Sequence, residues 1–509
     1  MFTLDPTLPA TEQIVNQAQA AIDSGRLGEG ARLPSVRQLA ARLEVSVFTV
    51  VNAYDRLLAR GVIRSRVGAG YFVCRRPGIG APALVAAADP QLLPNTALGL
   101  VQGVLGGSRY KVPAGSGFLP EAWLEDTLAP AVLTRALRRQ PFASQPAPMQ
   151  GHPAAREQIA LRLAQLQLPI PHEQLLITHG ATQAFDLVLR ACLRPGDSVL
   201  VEDPGYFMIH AQLRALGMQV LPVPRRADGP DLDTLEALAR EHRPRLLFTQ
   251  TLLHNPTGGN TSPQVAHRLL MLAERHDFLV LEDDVYGELA SQPGMRLAQI
   301  DGLNRVFYIG SFSKTLNPGL RLGYVAAPKT WLDKLIELKV MSTLSGSALN
   351  EAVITDILES GYYRRHTERL RERLARARRV SIAALTECGV TLPHADGEGV
   401  FLWAQLPDGL HADAITRRAA DAGILFAPGT LFSPSGGGQQ HLRLHAAYAS
   451  DPAVLACLRE GLDALGERRL RLAGGGRACY VKWVGFKMTK KTAKSLALIH
   501  RMVVFGTHC

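Results

Sequence analysis

The sequence lacks the features that would place a protein in a membrane or in an oxidising compartment. No charge-free apolar run reaches the ~18 residues of a membrane span, and the N-terminus has no basic start followed by an apolar block that would mark a secretory signal. The six cysteines are scattered without a CxxC pair, which argues against a disulfide framework and against a zinc site. We therefore expect a cytoplasmic protein with no membrane partner and no bound metal.

The net charge of +11 comes from one end of the chain. Residues 468–509 contain ten Lys or Arg and no Asp or Glu, and subtracting these ten charges leaves +1 for residues 1–467. The high isoelectric point therefore says nothing about the body of the chain. We predict an atypical, unstructured basic tail over 468–509. A frame-shifted or read-through end is the first interpretation, and an appendage that binds nucleic acid nonspecifically is the second.

Residues 8–76 contain three amphipathic helical patterns followed by two short strand patterns. A capping box, S-x-x-Q, starts at Ser35, Ser46 can cap the next helix, and Gly61 ends that helix. Residues 62–73, VIRSRVGAGYFV, predict two strands around a Gly-rich tip. This order is typical of a winged helix-turn-helix. We predict a DNA-binding domain over 8–76, and a three-helix module that binds protein is the alternative.

The segment LPSVRQLAARLEVSVFTVVNAYDRLLARGVIRSRVGAGYFV resembles the DNA-binding module of the GntR regulators. The resemblance implies that the third helix enters the major groove of double-stranded DNA and that the wing approaches the minor groove. It assigns DNA contacts, to bases or to phosphates, to Arg32, Arg37, Thr49, Arg64, Arg66 and Gly68.

Two residues depart from the pattern of this family. GntR modules often have Gly where Glu44 stands because the turn requires a positive φ, which costs a Glu about 1 kcal/mol. They commonly have Arg where Val47 stands, on the face directed at DNA. We expect the fold to be kept and the affinity or the DNA sequence that is read to differ.

Residues 77–112 mix Pro, Gly, Ala and Gln with little periodicity, which predicts a long linker. Such a linker lets the DNA-binding domain lie far from the large domain of its own chain. That arrangement suits a dimer in which the DNA-binding domains are shared between copies.

Residues 113–467 alternate β-like runs with helical stretches, which predicts an α/β domain with functional groups at strand ends. The groups at these strand ends suit one cofactor, pyridoxal phosphate (PLP). Its phosphate needs backbone N–H groups at a helix N-terminus, hydroxyl groups and a cation. The candidates for these contacts are Ala181, Thr182, Ser311, Ser313 and Arg321.

The ring and the aldehyde of PLP need a second set of groups. Tyr206 offers an aromatic face, and Asn255 and Tyr286 offer hydrogen-bond donors for the phenolic oxygen. A carboxylate at Asp283 would keep the pyridine nitrogen protonated, so that the ring can act as an electron sink. Lys314 supplies the amine that forms the Schiff base with the aldehyde.

The same order of residues resembles the fold-type I aminotransferases, and the most specific pieces are SFSKTLNPGLRLGY and NPTG. The distal Arg443 would hold the carboxylate of an amino acid. The resemblance places side-chain selectivity in loops near 115–118 and 429–432. The S-x-x-K of Ser311–Lys314 also matches penicillin-binding enzymes, but no S-D-N or K-T-G partner exists. We interpret His179, His254 and His445 as loop or core histidines.

The two halves together resemble the MocR subfamily of GntR regulators over about residues 8–465. The resemblance implies a head-to-tail homodimer that binds PLP and senses an amino acid, another amine or PLP itself. The predicted function is a PLP-dependent transcriptional regulator. The alternative is an active aminotransferase with a weak or vestigial DNA-binding module. The sequence identifies neither the effector nor the operator, and it does not distinguish a repressor from an activator.

Overall fold

The structure is a computed structural model that describes residues 3–5, 7–66, 68–74, 95–106, 109–292 and 294–461. The chain divides into two units, Met1–Gln91 and Leu92–Cys509, and each is described by itself. The predicted basic tail, 468–509, lies outside the described residues, as does most of the predicted linker.

The N-terminal unit contains three helices followed by a β-hairpin. Its elements are α1 (Ala10–Asp23), α2 (Val36–Leu43), α3 (Val47–Ala59), β1 (Ile63–Arg66) and β2 (Gly70–Val73). The predicted capping box of α2 is present, with Ser35 and Gln38 each bonded to the backbone of the other. Strands β1 and β2 pair antiparallel. The winged helix-turn-helix order predicted from the sequence is therefore confirmed.

The core of the N-terminal unit comes from one apolar face of each helix. Ile14 of α1, Leu39 of α2 and Val50 of α3 are fully buried together. The hydroxyl of Tyr54 donates a hydrogen bond of 2.8 Å to Pro34 O and so attaches α3 to the start of α2. Glu44, between α2 and α3, has φ 53° and ψ 37°. The positive φ predicted at this turn is therefore real, and a non-glycine residue adopts it.

The large unit is built on an eight-stranded mixed sheet. Its strands are β3 (Leu175–Thr178), β4 (Ser198–Asp203), β5 (Gln219–Arg226), β6 (Gly229–Pro230), β7 (Leu246–Thr249), β8 (Leu279–Asp283), β9 (Val306–Ser311) and β10 (Gly323–Ala326). They lie in the order β3-β10-β9-β8-β7-β4-β5-β6. Strands β5, β4, β7, β8 and β9 are parallel neighbours, and β10 runs antiparallel to both β9 and β3.

Helices surround this sheet, and a smaller sheet lies towards the C-terminal end of the unit. The helices are α4 (Ala97–Leu105), α5 (Pro130–Arg139), α6 (Pro153–Gln165), α7 (Ala181–Cys192), α8 (Phe207–Ala215), α9 (Leu232–His242), α10 (Pro263–Arg275), α11 (Leu297–Asp301), α12 (Lys329–Thr343), α13 (Ala348–Glu359), α14 (Tyr362–Glu387) and α15 (Ala412–Asp421). The smaller sheet has the order β11-β13-β12, from β11 (Phe401–Gln405), β12 (Ala427–Pro428) and β13 (His441–His445).

Both faces of the large sheet are buried, which explains the nearly continuous apolar runs of its strands. Leu200, Leu247 and Val280 belong to one core cluster. Val201 and Leu281, whose side chains point the other way, belong to a second cluster. Polar side chains are therefore available mainly where the strands end, and this is where the candidate site lies.

The prediction of a linker is wrong for the C-terminal part of the range 77–112. Helix α4 lies within the range 77–112, and its Leu100 is buried with Phe207, Trp403 and Phe432 of the large unit. The apolar run of α4 forms a short helix because Thr96 caps it, accepting a hydrogen bond of 3.0 Å from Gly99 N. Among the residues that the structure describes, no helix combines the length and apolar character needed to cross a bilayer.

Candidate cofactor site and DNA-binding surface

A cavity at the carboxyl ends of the central strands brings together the residues predicted to bind PLP. It encloses about 530 Å³ of empty space, including its open mouth, which is within the usual range for small-molecule sites. The residues of its lining that the sequence had predicted are Ala181, Thr182, Tyr206, Asn255, Asp283, Tyr286, Ser311, Ser313, Lys314 and Arg321.

One end of the cavity has the groups that an anionic phosphate requires. Helix α7 begins after Gly180, which has φ 74°. The first backbone N–H groups of a helix have no intrahelical partner, so those of α7 can bind an anion. Arg321 Nη1 lies 3.5 Å from Ser313 Oγ, and Nη2 donates to His179 O at 3.3 Å. A Cβ on Gly180 would lie 2.9 Å from Arg321 Nη2. Glycine at this position therefore lets the guanidinium approach the helix N-terminus.

Asp283 ends strand β8 and is only 2% exposed. Its Oδ2 accepts a hydrogen bond of 2.7 Å from Gln250 Nε2, and its Oδ1 accepts one of 3.2 Å from Val285 N. Burial raises the pKa of the carboxyl to about 7, against the hydrogen bonds from Val285 and Gln250. Asp283 forms no ion pair with any described residue, so the buried carboxyl can accept a cationic or proton-sharing partner from the cavity.

Lys314 lies in the same cavity with its amine close to an aromatic ring. Burial, followed by the charge of Arg443, lowers the pKa of the Lys314 amine to about 7. The Nζ atom lies 3.9 Å from the ring centroid of Phe118 and donates a hydrogen bond of 3.0 Å to Gly117 O. The lowered pKa favours the uncharged amine, which is the form that attacks an aldehyde.

Residues 115–118, which we call the 115–118 segment, contact three of the predicted ligand-binding side chains. Gly117 O accepts hydrogen bonds from Lys314 Nζ and from Tyr286 Oη, the latter at 2.9 Å. Gly115 O accepts one from Arg443 Nη2. The sequence placed this segment near the pocket, but it gave no sign that its carbonyl groups contact the lysine, the tyrosine and the arginine together.

Arg443 is on β13, and its guanidinium lies between two aromatic rings. The distances from Arg443 Cζ to the ring centroids of Phe401 and Phe432 are 4.5 and 4.8 Å. Nη1 donates to Asn255 Oδ1 at 2.9 Å, whereas the buried Nε has no hydrogen-bond partner. Burial lowers the pKa of the guanidinium to about 10. Arg443 is not among the residues that line the cavity, but it is joined to the cavity through its hydrogen bond to Asn255.

The three histidines agree with a loop or core interpretation. His254 is buried, with Nε2 2.7 Å from Glu202 Oε2 and Nδ1 2.9 Å from Thr257 Oγ1. Burial lowers the pKa of His254 to about 4 and that of His445 to about 3. His179 contributes its carbonyl oxygen to Arg321. Within the described ranges, no group of three or more His, Cys, Asp or Glu side chains is arranged to hold a metal ion.

The residues predicted to contact DNA lie in the N-terminal unit with different exposures. Thr49 is half-buried in the first turn of α3, and its Oγ1 is 2.8 Å from Ser46 Oγ. Phe48, which the sequence analysis did not single out, is 71% exposed beside the half-exposed Val47. The exposed residues are Arg32, Arg37, Arg64, Arg66 and Gly68.

Comparison with protein-family models assigns both units. Residues 104–459 match the model described as aminotransferase class I and II. The chain belongs to this family. Residues 10–73 match the model of bacterial regulatory proteins of the gntR family. An aminotransferase domain that follows a GntR module is the organisation that the resemblance to the MocR subfamily predicted, and this prediction is confirmed.

Relatives of two kinds share this aminotransferase domain. The 2-aminoadipate transaminase of Thermus thermophilus is 35% identical over 70% of this chain and 88% of that protein. The uncharacterized HTH-type transcriptional regulator YdcR of Escherichia coli is 32% identical over 86% of this chain and 95% of its own. The probable rhizopine catabolism regulatory protein MocR of Rhizobium meliloti is 28% identical over 93% and 96%. The two regulators therefore align with both units.

A solved structure of the aminotransferase fold allows the cofactor to be tested against the cavity. The crystal structure of LysN, the α-aminoadipate aminotransferase of Thermus thermophilus, superposes on this chain with a TM-score of 0.65 and 31% sequence identity. The match covers 72% of this chain and 95% of the LysN chain. LysN was solved in complex with N-(5'-phosphopyridoxyl)-L-leucine. Members of the family use PLP. The cavity fits this group, because it offers a buried carboxyl without an ion-pair partner, an amine of lowered pKa and a cationic end at a helix N-terminus.

Phe118 lies in the loop 115–118 that the sequence analysis placed near the pocket, but three other residues of the cavity lining were missed: Phe185, Gln250 and Val285. Gln250 is the first residue after β7 and Val285 the second after β8, so their positions at strand ends could have indicated them. Phe185 lies one turn into α7, and its ring packs edge-on to Tyr206 with 6.3 Å between centroids.

Proposed function

We propose that this chain is a PLP-dependent transcriptional regulator, which binds double-stranded DNA through its winged helix and senses an amino acid or another amine through its aminotransferase domain. One observation carries the proposal. The chain contains a GntR module followed by an aminotransferase domain, and the cavity of this domain has the groups that PLP requires. The regulators YdcR and MocR align with most of the chain, across both parts. A cytoplasmic location belongs to the same proposal.

Each side chain of the cavity has one task in this proposal. When bound, PLP supplies an aldehyde for amines and a ring that withdraws electrons. Lys314 would hold the aldehyde carbon, and Asp283 would hold a proton at the pyridine nitrogen. Asn255 accepts a hydrogen bond from Arg443 with Oδ1, so its Nδ2 would donate to the phenolic oxygen, and the hydroxyl of Tyr286 would donate there after leaving Gly117 O. Tyr206 would pack on the ring, and the phosphate would be oriented by Ala181, Thr182, Ser311, Ser313 and Arg321.

Arg443 gives the proposed effector site its selectivity for a carboxylate. An incoming carboxylate can take the unpartnered Nε and replace Gly115 O at Nη2, while Nη1 stays with Asn255. The 115–118 segment then loses its contact with the guanidinium. This segment follows α4 closely in the chain and is connected through the linker to the DNA-binding unit. Effector binding can therefore shift the population of large-domain conformations and so change DNA affinity.

The DNA surface of the proposal consists of α3 and the wing. Thr49 in the first turn of α3 reads base edges in the major groove, and the wing around Gly68 approaches the minor groove. Arg37 supports this contact from α2. The remaining predicted residues, Arg32, Arg64 and Arg66, contact phosphates.

A homodimer completes the proposal, and exposed apolar side chains of the large unit support it. Met341 and Leu344 are each 71% exposed at the C-terminal end of α12, and Met149 is also exposed. Lys339 Nζ donates to Met149 O at 2.7 Å and so connects α12 to the Met149 loop. Burial of this patch in a dimer would remove apolar surface from water. Leu344→Glu should shift the sedimentation of the protein towards a monomer, whereas Val380→Glu, at an exposed site on α14, should not.

Two observations favour a second function, amino-group transfer. The lowered pKa of Lys314 equips it to take and return a proton near neutral pH, and the 2-aminoadipate transaminase is 35% identical. Sustained conversion of a keto acid to its amino acid, with 2-aminoadipate as the first donor to test, would support the enzyme. Loss of this activity in Lys314→Ala would attribute it to the site.

DNA selection tests the main proposal. The protein is incubated with a random-sequence duplex pool, and the retained sequences are compared with and without PLP and with a panel of amino acids. We expect one enriched sequence, whose affinity changes with one amino acid only when PLP is present and Lys314 is intact. Absence of an enriched sequence would contradict the regulator. An enriched sequence with no response to any amino acid or to PLP would contradict sensing.

A further inference from the structure

Gln250 forms hydrogen bonds with two parts of the cavity at once. It follows strand β7, is 2% exposed and lines the cavity. Its Nε2 donates to Asp283 Oδ2 at 2.7 Å, and its Oε1 accepts from the backbone N–H of Asn255 at 3.0 Å. These two contacts fix the orientation of the amide, because a flipped amide would place an oxygen against the carboxylate and an NH₂ group against the N–H of Asn255.

The contacts of Gln250 extend into a chain of four residues. Asn255 Oδ1 accepts a hydrogen bond of 2.9 Å from Arg443 Nη1. The sequence of contacts is therefore Asp283, Gln250, Asn255 and Arg443. It runs from the carboxyl proposed to face the pyridine nitrogen to the guanidinium proposed to hold the carboxylate of the effector. All four side chains are buried, so each of these hydrogen bonds is shielded from competing water.

We infer that Gln250 is a positioning residue that orients Asp283 towards the cofactor through its Nε2 and orients Asn255 towards Arg443 through its Oε1. This inference rests on the proposed binding of PLP. Gln250 is suited to the role because it is neutral and presents a donor at one end and an acceptor at the other. A carboxylate in its place would repel Asp283, and an apolar side chain would leave Asp283 Oδ2 and Asn255 N without partners.

The backbone around Asn255 has other supports, so a change at Gln250 alters orientation rather than the fold of the loop. His254 Nε2 lies 2.7 Å from Glu202 Oε2 on the neighbouring strand end. Gly258 N donates to His254 O at 2.6 Å, and Thr261 N donates to Thr251 O at 2.7 Å. These contacts do not involve the Gln250 side chain and persist in its variants.

Two variants separate the two contacts of Gln250. Gln250→Glu keeps an oxygen for Asn255 N but replaces the donor to Asp283 with a second acid. Gln250→Met keeps the approximate shape and removes both contacts. The matched control is Gln174→Met, which removes a buried hydrogen bond of 3.1 Å to Ala327 O away from the cavity. Lys314 and Asp284, the other charged groups that act on Asp283, are unchanged in all three variants.

The measurement is the dissociation constant of PLP and that of N-(5'-phosphopyridoxyl)-L-leucine, each as a function of pH, with the full chain. We expect Gln250→Met to weaken PLP binding about tenfold, the effect of one lost hydrogen bond to a charged group, and to reduce the preference for the leucine adduct over PLP. Gln250→Glu should keep that preference. Its PLP affinity should fall as the pH rises, because two adjacent carboxyl groups then both lose their protons.

The inference is overturned if both Gln250 variants bind PLP as Gln174→Met does at every pH. Loss of the preference for the leucine adduct in Gln250→Glu would show that the hydrogen bond from Asn255 N to residue 250 does not orient Asn255. Circular dichroism of each variant identifies misfolding. If Gln250→Met is misfolded, the pH dependence of PLP affinity in Gln250→Glu decides whether the inference holds. Failure of the unaltered chain to bind PLP would refute the proposed function instead, and it is recognised before any variant is made.

Discussion

Replacement of Arg443 by Met should remove the contribution of the effector carboxylate while every residue proposed to contact the cofactor stays unchanged. Methionine is apolar and long enough to fill the space between the rings of Phe401 and Phe432, where the guanidinium lies. The variant therefore loses the charge and the hydrogen bonds but keeps most of the packing.

The magnitude follows from the contacts of the guanidinium. A carboxylate would take Arg443 Nε, which has no partner, and a new hydrogen bond from a charged donor contributes about 2 kcal/mol. At Nη2 the carboxylate would replace the neutral Gly115 O, a gain of about 1 kcal/mol. The total of about 3 kcal/mol corresponds to an affinity roughly a hundredfold weaker in Arg443→Met.

Isothermal titration with PLP and with N-(5'-phosphopyridoxyl)-L-leucine measures this difference directly. We expect the leucine adduct to lose about a hundredfold more affinity than PLP, whose smaller loss comes from the hydrogen bond that Arg443 Nη1 donates to Asn255 Oδ1. Arg417→Met, which removes an exposed arginine of the same unit, is the control. An equal loss of affinity for both ligands would show that Arg443 acts on the cofactor and does not bind the carboxylate.

Three further predictions concern pH, DNA affinity and stability. The rate of PLP association should rise with pH through about 7 as the Lys314 amine loses its proton, and in Arg443→Met this midpoint should move to higher pH because Arg443 lowers the pKa of Lys314. Val47→Arg, at a half-exposed site at the start of α3, should steepen the dependence of log K for DNA on log salt by about 0.9, the value for one added phosphate contact. An unchanged slope would show that this side chain does not reach the backbone of DNA. Glu44→Gly should stabilise the N-terminal unit by about 1 kcal/mol in urea denaturation because Glu44 has φ 53°, whereas Glu44→Ala should give no such gain.

The sequence predicted the elements whose signals are local or highly specific. The capping box at Ser35 and the glycines of the wing indicated the winged helix, and NPTG and SFSK indicated the cavity, because each motif combines a backbone requirement with a chemical group. The strands were recognised from apolar runs that both buried faces of the sheet require.

The features that the sequence analysis missed depend on contacts between distant residues. Helix α4 was assigned to the linker because residues 77–112 mix Pro, Gly, Ala and Gln with little periodicity, whereas the packing against Phe207 and Phe432 that helps to stabilise it is visible only in the fold. Gln250 has no motif of its own, and its role becomes visible only when β7 and β8 lie side by side. Every residue has a backbone carbonyl oxygen, so nothing in the sequence indicates that the one of Gly117 contacts Lys314.

The most direct test of the account is to identify the residue that binds PLP. The full chain is mixed with PLP, treated with borohydride, which fixes a lysine-bound PLP as a stable adduct, and digested for mass spectrometry. We expect a visible absorbance band before reduction and the phosphopyridoxyl adduct on the peptide that contains Lys314, with both absent in Lys314→Ala. An adduct on another lysine, or neither band nor adduct, would contradict the central claim that Lys314 and its surrounding cavity hold the cofactor.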